Sequence, residues 1–393
     1  MTDFSPTRAA GLDRLNAFVP HAGRAYAEGR NTDPGPGAAS AVSRLSPWLR
    51  RRLLTEAEIV AAVLAEHRLA DAEKFVAEVL WRTYWKGWLE LRPGVWRQFV
   101  ADRDAARQLP IARAIAAAEA GTTGIDGFDD WARELVETGY LHNHARMWFA
   151  SIWIFTLRLP WALGADFFLR HLIDADPASN TLSWRWVAGL QTAGKTYLAT
   201  ADNIARYTGG RFSPQGLART ALSIGAPPVP PPAPLSVLPS PDPEAPTLLL
   251  VTPEDFHPES LFTRAPAVRG AVVTGSDDGG PLSAAFIAGA AADAATRVAA
   301  AFDCPVQTAA TLDAAAIIAA ARQAGARQVV TAFAPVGPLA DALAAIEPLL
   351  VADGLTLHRR RRRWDSAFWP HAQKGFFPFK ERIPAILAIE GIG

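Results

Sequence analysis

The 393-residue sequence predicts an all-helical domain followed by a smaller α/β domain with a parallel sheet. Three observations predict it. In the stretches Phe75 to Trp88, Asn143 to Met147 and Asp176 to Trp184, polar and aromatic residues recur at spacings of three and four, the period of a helix face. From residue 226 to 246 proline dominates, as in a semi-rigid linker with no packed element. Beyond it tryptophan almost vanishes, alanine and valine rise, and short apolar runs alternate with alanine-rich helical stretches. The expected divisions are therefore 1–225, 226–246 and 247–393.

Composition narrows the classes of function. Half of the residues are hydrophobic and the length allows two domains with sizeable cores. Lys+Arg and Asp+Glu both number 39, so any nucleic-acid contact needs a local basic patch. Cys304 is the only cysteine, which excludes a disulfide framework or a cysteine metal cluster and suits a reducing cytoplasm. The start, Met1-Thr2-Asp3-Phe4-Ser5, has no basic segment leading into an apolar run, and no uncharged stretch is long enough to span a bilayer. A cytoplasmic monomer without a membrane partner is expected.

Taken in order, residues 20–37 are rich in glycine and proline and read as an irregular loop, with Tyr26 to Asn31 a solvated part of it. In Ser43-Arg44-Leu45-Ser46-Pro47, Ser46 suits a helix N-cap and Pro47 the first helical position. Such a start offers hydroxyls and free N–H groups to a phosphate. The segment Phe75 to Trp88 places Glu78, Trp81, Arg82 and Trp85 along one helix face. Arg92 to Gly121 is helical, and Gly121-Thr122-Thr123-Gly124 forms a turn ahead of Asp129.

The densest stretch is Thr138 to Trp186. It contains Thr138-Gly139-Tyr140-Leu141-His142-Asn143-His144-Ala145-Arg146-Met147, then Asp174-Ala175-Asp176 and Asn180, then Trp184-Arg185-Trp186. Acids, an amide and an arginine among apolar neighbours need partners, because an unpaired buried charge costs several kcal/mol. Asn143, Arg146 and Met147 share a helix face; Asp176 followed by Pro177 reads as an N-cap, which puts Asn180 and Trp184 on the first turns of a new helix.

These motifs resemble the flavin-binding helical domain of the DNA photolyase and cryptochrome family, which reads Thr-Gly-(Trp/Tyr)-x-His-Asn-x-x-Arg-Met, Asp-x-Asp-x-x-x-Asn and Trp-x-Trp. Each residue alone is more often structural; their joint spacing reverses that reading. The resemblance implies that FAD is held by Tyr26, Ser43, Leu45, Ser46, Phe75, Arg82, Tyr140, Arg146, Asp174, Asp176 and Asn180. Arg146 is expected to pair with Asp174, and Asn180 to face the reactive flavin nitrogen. Glu78, Trp81, Asn143, Met147 and Trp186 are implied as the catalytic pocket for damaged bases, Trp184 and Trp161 as inner and middle members of an electron relay, and Arg30 and His144 as DNA contacts. The chain departs from the family pattern at several places. Val42 stands where threonine is usual, Phe75 and Tyr140 where tryptophan is common, and His144 where arginine is common. The outermost relay position falls near Gln108, with no tryptophan close by. The segment after Trp186 also differs, leaving Lys195, Arg206 and Arg211 as substitute phosphate contacts.

In the last part, strands are expected at Thr247–Val251, Ala271–Thr274 and Gln328–Ala332, with helices near Ser283–Phe302 and Asp313–Ala324, giving a Rossmann-like sheet. No glycine-rich phosphate fingerprint follows a strand. The segments Leu249 to Phe256 and Trp364 to Phe379 resemble the opening and close of the family's light-harvesting domain, so the two domains stand in exchanged order; an antenna chromophore of unknown identity is left open. The run Arg359–Arg363 reads as a solvated face. The implied activity is light-dependent repair of cyclobutane pyrimidine dimers in ultraviolet-damaged DNA, with Met147 favouring this lesion over the other photoproduct. The alternative is a blue-light receptor that binds FAD without repair.

Overall fold

The structure is a computed structural model describing residues 4–192, 194–222, 224–225, 227–275 and 279–393. Met1–Asp3, where the amino-terminal reading began, and Ala226, the expected first linker residue, lie outside the described residues.

Among the described residues the first part is helical throughout, and its axis is the helix Leu69–Glu90. This helix buries Phe75, Val76, Val79, Leu80, Tyr84, Trp85 and Trp88. Gly87 within it weakens helix formation by about 1 kcal/mol relative to alanine. A Cβ there would lie 2.8 Å from Trp369 Cδ1, so glycine is what admits the carboxy-terminal Trp369 to the helix surface. The expected start at Asp176 is present. Asp176 accepts a hydrogen bond from the Ser179 amide at 2.7 Å, with proline in the first turn of the helix Pro177–Val187. The helix Phe128–Thr138 ends at Gly139, whose φ of +67° is left-handed and whose Cβ would meet Ile173 at 2.6 Å. That cap turns the chain into Tyr140 and on to the helix Asn143–Ser151.

Some local expectations shift. Ser46 is the first helical residue of Ser46–Arg50 and Leu45 takes the cap position. The stretch 20–37 contains the helix Arg24–Gly29, in which Tyr26 is buried against Phe18 and Phe75, so Tyr26 is a core residue rather than part of a solvated loop.

Beyond residue 227 the linker carries neither helix nor strand until residue 247 and is pinned to the helical part, where Arg92 Nε donates to the Pro230 carbonyl at 3.0 Å. Then follow β1 (Thr247–Val251), β2 (Val268–Thr274), β3 (Val306–Ala309), β4 (Gln328–Ala332) and β5 (Thr356–Arg360). They form one parallel sheet in the order β3-β2-β1-β4-β5. Two strands were not expected. β3 is short and partly exposed, and β5 is hidden in the sequence by its arginines. Side chains alternate across β1: Leu249 and Val251 join the core shared with the helical part, while Leu248 and Leu250 face Ile317, Val329 and Leu343.

The arginine run is not a solvated face. Arg362 is buried and its Nε lies 2.6 Å from Asp255, Arg359 pairs with Glu347 at 2.8 Å, and Arg361 lies over Phe333. Desolvating a guanidinium calls for a carboxylate, and the fold brings one each to Arg359 and Arg362. The helix Pro281–Phe302 is long and apolar enough to cross a bilayer, because alanine dominates it. It lays Phe286, Ile287, Ala290, Ala294 and Val298 into the core instead, and carries Asp293 paired with Arg297.

Candidate functional site

A cavity of about 400 Å³ opens between the helices Leu69–Glu90, Asn143–Ser151 and Pro177–Val187. Its wall brings together Glu78, Trp81, Arg82, Asn143, Met147 and Asn180, with Tyr140, Arg146, Asp174, Asp176, Trp184 and Trp186 completing it. A second cavity of about 190 Å³ shares Ser46, Glu78, Arg82, Tyr140 and Asn143 with the first and is lined further by Tyr26, Arg30, Val42, Ser43, Leu45 and Phe75. Of the residues singled out from sequence, Trp161 and His144 line neither.

Several polar groups face the larger cavity. Arg146 Nη2 donates to Asp174 Oδ2 at 3.0 Å, the expected pair. Burial works against the Asp174 charge, but Arg146, Arg82 and the Ser46 hydroxyl outweigh it and hold the carboxyl below its ordinary range. The other oxygen, Asp174 Oδ1, is buried without a hydrogen bond, as are Arg82 Nη1 and Ser179 Oγ. Buried polar atoms seldom go unpaired, so acceptors and donors aimed at one cavity fit a polar, ring-bearing ligand. Asn180 Nδ2 donates to the Ala165 carbonyl at 2.8 Å, so the side chain has its acceptor Oδ1 left to offer a ligand. Tyr140 lies between the guanidinium groups of Arg44 and Arg146, 4.7 and 5.7 Å from its ring centre, and burial pushes its hydroxyl up to about 12.

The mouth has a different character. The open surface of Glu78 belongs to the cavity wall; the surrounding protein nevertheless raises its pKa by desolvation, with Arg30 pulling the other way. Trp186 is 38 % exposed and stacks on Tyr197. Trp81 stacks on Phe376 and tilts against Trp85.

Other assignments move. Trp184 is buried against Phe149, Phe168 and Trp153, with the Trp153 ring centre 6.3 Å away. Trp161 instead packs on Phe99 and lies under Arg185. The half-buried His144 ring stacks on Trp148, and its Nδ1 lies 2.9 Å from the Asn31 carbonyl. Arg211 pairs with Asp33 at 3.0 Å. Asp176 is occupied by protein: Oδ1 caps the helix, and Oδ2 lies 3.6 to 3.7 Å from Arg50, Arg82 and Lys86. Sequence reasoning passed over Arg44 and Ser179. Arg44 lines the smaller cavity in a left-handed backbone conformation, φ +53°, and its place between Ser43 and Ser46 was the available signal.

The family described as the FAD binding domain of DNA photolyase matches residues 75–216. A deoxyribodipyrimidine photo-lyase of Agrobacterium fabrum is 33 % identical over 190 residues, 47 % of this chain and 39 % of that protein. One from Streptomyces griseus is 37 % identical over 39 % of this chain and 34 % of its own length. The chain thus spans less than half of these relatives' lengths. Among solved structures, a bacterial class III photolyase from Agrobacterium tumefaciens aligns with a TM-score of 0.45 at 28 % identity, over 52 % of this chain and 43 % of that one.

Proposed function

We propose, from the premise that the helical domain of this chain belongs to the photolyase and cryptochrome family, that the protein repairs cyclobutane pyrimidine dimers in DNA with light. The observation that carries the proposal is the joint lining of one cavity. Glu78, Trp81, Asn143, Met147 and Trp186 share it with Arg146, Asp174 and Asn180.

The residues fit FAD. Arg82, Tyr140, Arg146, Asp174 and Asn180 would surround its ring system, with the unbonded Oδ1 of Asp174 as a ready partner. Ser43, Ser46 and Arg44 line the adjoining cavity, where hydroxyls and a guanidinium suit a diphosphate. Bound and fully reduced, FAD supplies an electron donor that light makes strong enough to split the cyclobutane ring. The rest is done by side chains. A dimer already impaired in stacking and pairing is extruded at low cost. Trp81 and Trp186 offer it aromatic walls, and Met147 an apolar contact. Asn143 donates to a base carbonyl. Glu78, whose pKa is raised by desolvation, faces the lesion as a hydrogen-bonding partner.

The experiment is to reduce the flavin of the purified chain, add single-stranded DNA carrying a thymine dimer, and illuminate. Loss of the dimer in light alone supports repair, and a persistent dimer refutes it.

A blue-light receptor that binds FAD without repair is the second reading. It is favoured by His144, whose ring is stacked inside on Trp148 where a DNA contact is expected. We also propose that the α/β part is the family's light-harvesting domain placed after the helical one, on the strength of its doubly wound parallel sheet. An antenna chromophore would belong to this domain.

A further inference from the structure

We propose that Glu254, in the loop after β1, is a positioning residue for the flavin site. It sets the charge of the cation cluster around Asp176 and thereby the midpoint potential of the bound flavin. The inference rests on the FAD reading above.

Asp176 and Arg82 line the larger cavity. Behind them Asp176 Oδ2 faces Arg50 Nε at 3.6 Å, Arg82 Nη1 at 3.6 Å and Lys86 Nζ at 3.7 Å. One carboxylate cannot balance three buried cations. The second comes from the other domain: Glu254 accepts from Arg50 Nη1 at 2.6 Å and from Lys86 Nζ at 2.8 Å. Side chains of Arg50, Lys86, Asp176 and Glu254 are all at least nine-tenths buried, so water screens little of this charge. Arg50 is fixed from a third side, its Nε donating to the Ala175 carbonyl at 2.7 Å. Burial opposes ionisation of both acids, and Arg50 and Lys86 overcome it for each, so both stay charged.

Asp176 and Glu254 therefore offset part of the positive charge of Arg50, Arg82 and Lys86, and losing the Glu254 charge would make the wall behind the cavity more positive by one unit. A more positive wall favours the reduced, more negative flavin and raises its potential. A higher potential makes the reduced cofactor a weaker donor. Glu254 thus restrains the stabilisation that the helical domain would otherwise give to negative charge, and the flavin site is electrostatically complete only with the α/β domain in place.

The test uses the full chain loaded with FAD and a spectroscopic redox titration. Glu254→Gln keeps the shape and is expected to raise the midpoint potential. Lys86→Met is expected to lower it, and the double variant Lys86→Met/Glu254→Gln to return toward the wild-type value. A residue that only held the domains together would lower thermal stability without this reversal. An unchanged potential in flavin-loaded Glu254→Gln, or a double variant displaced further than the single one, overturns the proposal. Should Glu254→Gln fail to fold, Lys86→Met alone decides, since an unchanged or raised potential there also overturns it. Failure of the wild-type chain to bind FAD would instead refute the flavin reading itself.

Discussion

Trp81 and Phe376 stack face to face, their ring centres 3.7 Å apart and their planes 12° from parallel. One belongs to the helix Leu69–Glu90 and lines the larger cavity; the other opens the short helix Phe376–Lys380 near the end of the chain. A ring backed in this way is pre-organised to receive a base on its open face. Phe376→Ala is expected to cost about 3 kcal/mol of stability, from lost packing around a buried aromatic. It should also weaken binding of dimer-containing DNA while leaving FAD content unchanged. Denaturant unfolding and a DNA-binding titration check the two parts separately.

The resemblance implied that Arg146 pairs with Asp174, and the structure brings them together at 3.0 Å. Asp174→Asn leaves Arg146 without its charged partner. Stability should fall by about 3 kcal/mol, and the flavin content of purified protein should fall with it. Absorbance at the flavin band against protein concentration measures the second effect.

Relay geometry favours Trp153 over Trp161. The ring centre of Trp153 lies 6.3 Å from that of Trp184, whereas Trp161 contacts Phe99 and Arg185. Photoreduction of oxidised flavin should therefore slow strongly in Trp184→Phe, clearly in Trp153→Phe and least in Trp161→Phe. Flash-photolysis rates for the three variants test the order.

Glu134 gives a pH dependence. Burial, with the nearby Asp33 carboxylate, pushes its pKa up to about 7 from 4.5. Between those values the folded chain holds a proton that the unfolded chain has released. The stability this contributes is complete below the unfolded pKa and is lost as pH rises through the folded one. Glu134→Gln should flatten the fall in stability between pH 5 and 8 on denaturant unfolding, roughly the window set by these pKa values, and be more stable than wild type at the alkaline end.

What sequence showed and what it hid divide by range. Asp176 as a cap and the shared face of Glu78, Trp81 and Arg82 are local, and their spacing alone determines them. Glu254 and Phe376 reach the site from the other domain, and no periodicity links Lys86 to Glu254 across 168 positions. Arg359 and Arg362 looked solvated because their acids, Glu347 and Asp255, are brought close only by the fold. His144 matched a family position by spacing, while its environment, the face of Trp148, depends on packing.

Identification and quantitation of the flavin released when freshly purified full-length protein is denatured address the central claim most directly. One FAD per chain is expected, and clearly less than one when Asp174 or Arg146 is replaced. Colourless protein that takes up no added FAD would contradict it.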